Sequence, residues 1–282
     1  MKIAVSFIVF SALFGVCSLF AGASEPMPAE QIAELRKARA DINDAAMQSG
    51  AHQPTQWGQR INLSFTAVTD AGIGQLQRYN QLGRVDLGYI KITDGGLIAL
   101  KKLPQLNDLN LIGTPIGDAG TVHIKGMVGL GSLVLDDTKI TDKGLNNLKA
   151  LSRLGSLYLN RTQVTNAGMA HLAEFKSLGR IHLGGTKITD AGLEHLKKLK
   201  HLAALDLSNT DVTDAGVAHL ADMKDLSELW LPGTKVTDAS LPTLKQLTKL
   251  KALWLNGTKV TDAGVRELEE ALPELTVLRD SK

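Results

Sequence analysis

Several side chains recur at spacings that could do chemistry. Thr-Asp pairs such as Thr189-Asp190 and Thr213-Asp214 return every 24 residues, with Asp in eight of nine copies and Asn166 in the other. Such a column of carboxylates could hold metal ions. An oxygen-bearing side chain just ahead of an apolar helical run has a plainer use: it accepts bonds from free N–H groups and complements the positive helix end. The sequence therefore predicts helix caps here and no metal. His123, His171, His195 and His219 share another offset. Helices on the outside of a repeat array pack about 8–10 Å apart, whereas zinc ligands each lie near 2 Å from one ion. These imidazoles are expected to flank neighbouring helices. His182 and Asp206 stand 24 residues apart and could pair as an acid–base couple. No nucleophile elbow, His-Glu-x-x-His or phosphate-cradling glycine loop accompanies them, so neither catalysis nor a cofactor is expected.

One further column reads as a binding surface. At the 24-residue spacing stand Asn62, Asp86, Asn110, Val134, Tyr158, His182, Asp206, Trp230 and Trp254. Beyond residue 23 the chain has eight Phe, Tyr and Trp residues, and three of them fall in these nine places. Large aromatic side chains placed where they do not serve a core are how recognition surfaces are usually built. Asn160, Arg180 and Glu228 flank the stripe and offer donors and acceptors. The candidate site is thus Tyr158, His182, Asp206, Trp230 and Trp254 with Asn160, Arg180 and Glu228.

The elements that position these residues follow from the repeat itself. A leading Thr falls at 66, 114, 138, 162, 186, 210, 234 and 258, and Ile90 completes nine copies without an insertion. Three before it stands Leu in every copy, from Leu63 to Leu255, and five before it Ile, Val or Leu, from Ile61 to Leu253. Eight before it stands Leu in all copies but the first, where Gly58 takes the place. A spacing of two puts the first two sets on one face of a short strand. Apolar residues follow the Thr at offsets of seven, ten and thirteen, as in Leu193, Leu196 and Leu199, which is one face of a short helix. Each copy is therefore strand, turn and helix. One such unit cannot bury its own apolar faces, so the copies must stack. Three expectations follow: the Thr hydroxyls bond the backbone of adjacent coils, the recurrent Gly from Gly72 to Gly264 lets helix approach strand, and Lys91, Lys139, Lys187, Lys235 and Lys259 form a solvated fringe.

The run Leu130-x-x-Leu133-x-Leu135-x-x-Thr138-x-Ile140 is similar to the leucine-rich repeat pattern. The Thr-Asp-x-Gly-Leu continuation resembles the repeats of exported bacterial leucine-rich proteins and the cysteine-containing F-box class, with Thr in place of Cys. The resemblance spans about residues 58 to 282. It implies an α/β fold: a right-handed leucine-rich repeat solenoid, or horseshoe, of nine repeats with a concave parallel β-sheet and convex short helices. It also implies a protein partner gripped on the concave face, with polysaccharide as the alternative.

The termini depart from the repeat. Met1-Lys2, the apolar run Ile3 to Phe20 and Ala21-Gly22-Ala23 read as a cleaved signal peptide over 1–23. Residues 24–60 read as an N-terminal helix and cap, with Ile32, Leu35 and Ile42 on one face, and 61–282 as the repeat domain. Leu268, Leu272, Leu275 and Leu278 suggest a one-residue insertion and a terminal cap. Export to the periplasm or beyond is expected, with no membrane span after cleavage and no lipid on Cys17, because Val16 precedes it. The 282 residues carry 31 basic and 29 acidic side chains, and no basic block reads as a nucleic-acid stripe. The single Cys excludes a disulfide framework. A monomer stabilised by packing alone is expected.

Overall fold

A three-residue strand has too few ladder bonds to stand alone, and the 24-residue period solves this by placing an equivalent strand beside each one. The computed structural model describes residues 59–66 and 68–280; the expected signal peptide and N-terminal helix lie outside the described residues. Ten strands form one parallel sheet in sequential order. They are β1 (Gln59–Asn62), β2 (Leu82–Asp86), β3 (Asp108–Asn110), β4 (Ser132–Val134), β5 (Ser156–Tyr158), β6 (Arg180–His182), β7 (Ala204–Asp206), β8 (Glu228–Trp230), β9 (Ala252–Trp254) and β10 (Thr276–Leu278). Register follows the repeat: Leu133 faces Leu157, Leu157 faces Ile181 and Trp230 faces Trp254. The ladder continues past each strand, as when Leu159 N–H donates to His182 O at 2.9 Å. Fold class and the strand, turn and helix reading are as the sequence predicts.

Alternation decides what each strand residue does. Leu157 and Leu159 are fully buried, whereas Tyr158 between them is half-buried on the other face. Behind the sheet run helices of one to two turns, such as Asp118–Ile124, Asp142–Leu148 and Asn166–Leu172, with 3-10 segments at Asp94–Lys102 and Glu194–Lys198. Their inward residues, Leu145, Leu148, Met169 and Leu172 among them, close one aliphatic core against the strands. Among the described residues no helix is long and apolar enough to cross a membrane.

Three polar columns order the coils; the Thr caps are as the sequence predicts, and the leading Thr and the Asp differ in their partners. The Thr hydroxyl does not reach the adjacent coil. It donates to the Leu carbonyl three residues back in its own turn, as in Thr138 to Leu135 O at 2.6 Å and Thr162 to Leu159 O at 2.7 Å, closing the turn after the strand. The helix cap is the Thr before the Asp: Thr141, Thr165, Thr213 and Thr237 accept the N–H two residues on. The Asp instead joins coil to coil. Asp142 accepts Thr165 N–H at 2.8 Å and Thr165 Oγ1–H at 2.7 Å, and Asp118, Asp190 and Asp214 repeat this on Thr141, Thr213 and Thr237. Space for that carboxylate explains the recurrent Gly, which makes room for the preceding coil's Asp more than for a strand. A Cβ at Gly144 would stand 2.5 Å from Asp118 Oδ1. At Ser240, the exception, the hydroxyl donates to Asp214 Oδ1 at 2.5 Å, so the collision becomes a bond.

The C-terminal end corrects the expected insertion. Val277 pairs with Leu253 in the same 24-residue register, so β10 extends the ladder to a tenth strand. The Leu spacing there comes from a longer helix, Asp262–Ala271, whose following turn buries Leu272 and Leu275. Arg279, at the place of the usual Leu, pairs with Asp262 at 3.0 Å.

Candidate functional site

The side chains opposite the core form three parallel columns on the sheet. The central one is the column singled out from the sequence, and its two halves differ. In the first half Asn110 Nδ2 donates to Asp86 Oδ1 at 3.1 Å, and Ser64 Oγ also bonds Asp86, a closed polar network. Val134 separates it from the rings.

In the second half the spacing of parallel strands, about 4.8 Å, brings rings on successive strands into stacking range. Tyr158 and His182 stack with centroids 4.6 Å apart at 22°, and Trp230 and Trp254 at 4.3 Å and 10°. His182 and Trp230 approach to 5.3 Å at 42°, although Asp206 lies on the strand between them. Tyr158, Trp230 and Trp254 are half-buried, and His182 is only 3% exposed. His182 is therefore held inside the ring column, because the larger rings on both sides cover it.

The polar flanks are brought to the same place. His182 Nδ1 lies 3.2 Å from Asp206 Oδ2, and Ser208 donates both N–H and Oγ–H to Asp206 Oδ1, at 2.8 and 2.5 Å. Burial pushes the Asp206 carboxyl upward, but the bonds from His182 and Ser208 together outweigh it and hold the group below its ordinary value. Arg180 reaches across Ala204 to Glu228, 3.1 Å away and two strands on. Asn160 looks to its neighbours: its Oδ1 accepts Gly184 N–H at 2.6 Å, and its own N–H donates to Asp136 Oδ1 at 2.7 Å. The structure thus gathers all eight expected residues on one half of one face. The hydroxyl beside the His182 and Asp206 pair, Ser208 Oγ, is turned to the carboxylate and not to the imidazole, and among the described residues no group of three His, Cys, Asp or Glu could hold a metal ion.

Two features escaped the sequence reading. Asp136, at the head of the ring column, is buried, and desolvation outweighs the Asn160 N–H bond to push its carboxyl up to about 6. Its signal was its register, two places after Val134 on the same face. Phe65 and Tyr89, 52% and 40% exposed, stack at 4.8 Å on the rim. Their φ values are +59° and +56°, in a column where Gly113, Gly185, Gly233 and Gly257 also have positive φ. That column was legible as the place of recurring Gly, and the aromatic exceptions to it were the clue.

The family model described as Leucine Rich repeat matches residues 198–221. No curated protein matches the chain significantly. Among solved structures, an internalin C2 from Listeria monocytogenes is similar at 29% identity and TM-score 0.58, over 72% of this chain and 80% of that one. An internalin, inlF, from the same species aligns at 20% identity and TM-score 0.40, over 78% and 79%. A TDR receptor aligns at 14% identity and TM-score 0.51, over 78% of this chain and 42% of that one. The nine-copy repeat, the ten-strand ladder and the likeness to the internalin C2 agree: the chain folds as a leucine-rich repeat solenoid.

Proposed function

We propose that the chain is an exported, non-catalytic, monomeric binding module that grips a polypeptide partner on the second half of its concave sheet. The curvature of a repeat array offers an extended concave surface of this kind. The observation that carries the reading is the column from Tyr158 to Trp254. It lies opposite the core and is not needed to complete it, and its Tyr158, Trp230 and Trp254 rings are half-exposed. Five strands at about 4.8 Å give a column of roughly 19 Å, enough for an extended peptide or one face of a helix.

Ring geometry favours a polypeptide over the polysaccharide alternative. Sugars stack on the flat faces of aromatic rings, and here Trp230 and Trp254 cover each other's faces, as do Tyr158 and His182. What remains outward is mainly a ridge of ring edges with polar groups beside it. Such a ridge matches the mixed apolar and hydrogen-bonding surface of a protein chain.

The test is affinity capture from envelope extract with the mature chain, comparing wild type with Trp230→Ala/Trp254→Ala. A desolvated Trp at an interface is worth about 2 kcal/mol or more, so the double substitution should weaken partner binding at least ~30-fold and leave the fold intact. Asn62→Ala and Asn110→Ala should change little. Unchanged capture by the folded double variant would reject this surface, and displacement by soluble oligosaccharide would favour the sugar reading.

A further inference from the structure

The ring column has one break. Strands two apart are separated by roughly 10 Å, yet the His182 and Trp230 centroids lie 5.3 Å apart. The two rings therefore lean toward each other across β7. They meet at 42°, against 22° and 10° for the stacked pairs, so the two rings bound a wedge. Asp206 is the residue between them, its side chain 14% exposed. Its neighbours on the same strand face are small, Ala204 and Ser208, and the Arg180 and Glu228 pair passes over Ala204 as a side wall.

Two demands converge there, only one of them unmet within the chain. The Asp206 carboxylate is kept charged by His182 and Ser208, and among the described residues no lysine or arginine forms a salt bridge with it. Asp136, further along the face, adds a second carboxylate, and the Arg161 guanidinium that acts on it is already engaged by both oxygens of Asp137. The second demand is on the imidazole. In the neutral tautomer whose Nδ1–H donates to Asp206, Nε2 is an acceptor, and it is buried with no hydrogen-bond partner among the described residues. Nε2 belongs to the end of the ring far from the sheet backbone. A buried acceptor left unpaired costs free energy, and a cationic donor would satisfy it while setting a positive charge beside the Asp206 carboxylate.

Resting on the polypeptide reading above, we propose that this wedge is a subsite for an arginine side chain of the partner. The guanidinium enters beneath Trp230, donates to the Asp206 carboxylate and to His182 Nε2, and lies against the indole. Arginine suits the space better than lysine. Its planar head carries five donors, is weakly hydrated and stacks on aromatic rings, whereas an ammonium is a compact, strongly hydrated charge.

The experiment titrates the wild-type chain with the blocked peptide Gly-Gly-Arg-Gly-Gly and with its citrulline counterpart, which keeps the shape and loses the charge. Binding is read from the Trp230 and Trp254 indole N–H resonances at neutral pH and physiological ionic strength. The arginine peptide should bind at least ~10-fold more tightly. Asp206→Asn should abolish that preference, and Glu174→Gln, at an exposed carboxylate paired with Lys149, should retain it. Equal binding of the two peptides, or an arginine preference that survives Asp206→Asn, would overturn the subsite. The wild-type comparison decides even if Asp206→Asn does not fold. Should Trp230→Ala/Trp254→Ala lose the captured partner while wild type shows no arginine preference, the subsite falls and the recognition surface stands. Normal capture by that double variant removes both.

Discussion

Asp136→Asn should stabilise the protein at neutral pH, and the gain should vanish in acid. The Asp136 carboxyl lies in the turn after β4, 8% exposed, with its charge supported chiefly by one backbone N–H from Asn160. Desolvation dominates and raises it from 3.8 to about 6. At about 1.4 kcal/mol per pH unit, the charged form is disfavoured in the folded state by about 3 kcal/mol relative to the unfolded chain. Above pH 6 both states are ionised and the penalty is present in full. Between about 6 and 3.8 the folded state holds the proton and the unfolded state does not, so acidification relieves the penalty. Below 3.8 it is gone.

An Asn at this position keeps an oxygen for the Asn160 N–H and carries no charge to desolvate. Urea titrations of wild type and Asp136→Asn across pH 4 to 8 should show a variant more stable by about 1–3 kcal/mol at pH 8, with the two curves converging near pH 4. Other carboxylates titrate in the same range, but they are common to both proteins and cancel in the difference. A difference independent of pH, or a variant less stable than wild type at pH 8, would refute the account of a desolvated and poorly compensated charge.

Asp206→Asn should behave in the opposite sense, because that carboxyl is held below its ordinary value by His182 and Ser208. The variant should be less stable than wild type at neutral pH, and the gap should close as pH falls through 3.8 and below, in the same titration series. Leu159→Ala, at a fully buried site, should cost about 2–5 kcal/mol, while Lys187→Ala, on the exposed fringe, should stay within about 0.5 kcal/mol; equal urea midpoints would mean the repeat register is wrong. Gly144→Ala presses a methyl onto Asp118 Oδ1 and should cost about 1–3 kcal/mol. Gly144→Ser should recover part of that loss, since Ser240 shows the hydroxyl bonding the equivalent Asp214; a Ser variant no more stable than the Ala variant would contradict the clamp.

What could be read from the sequence is what a period fixes. A spacing of two assigns Leu157 and Leu159 to the core and Tyr158 to the opposite face, and a constant 24 sets Tyr158 beside His182 and Trp230 beside Trp254. No knowledge of side-chain conformation is needed for either step, so the sheet and the whole candidate column were legible. The polar columns were half legible: Thr and Asp stood at helix starts, but which oxygen reaches which coil depends on the offset between adjacent turns. That offset sends the Asp142 carboxylate to Thr165, 23 residues on, a partner no local capping rule contains. The tilt of the rings was not legible at all. Indoles on adjacent strands can lie flat on each other, as Trp230 and Trp254 do, but an Asp between two ring-bearing strands leaves a gap that a large ring can close only by leaning. Asp206 therefore does two things at once: it interrupts the aromatic ridge, and it supplies the charge beneath the interruption. Substituting Asp206 by Phe would continue the stack and delete the wedge, leaving a smoother apolar ridge with no place for a cation.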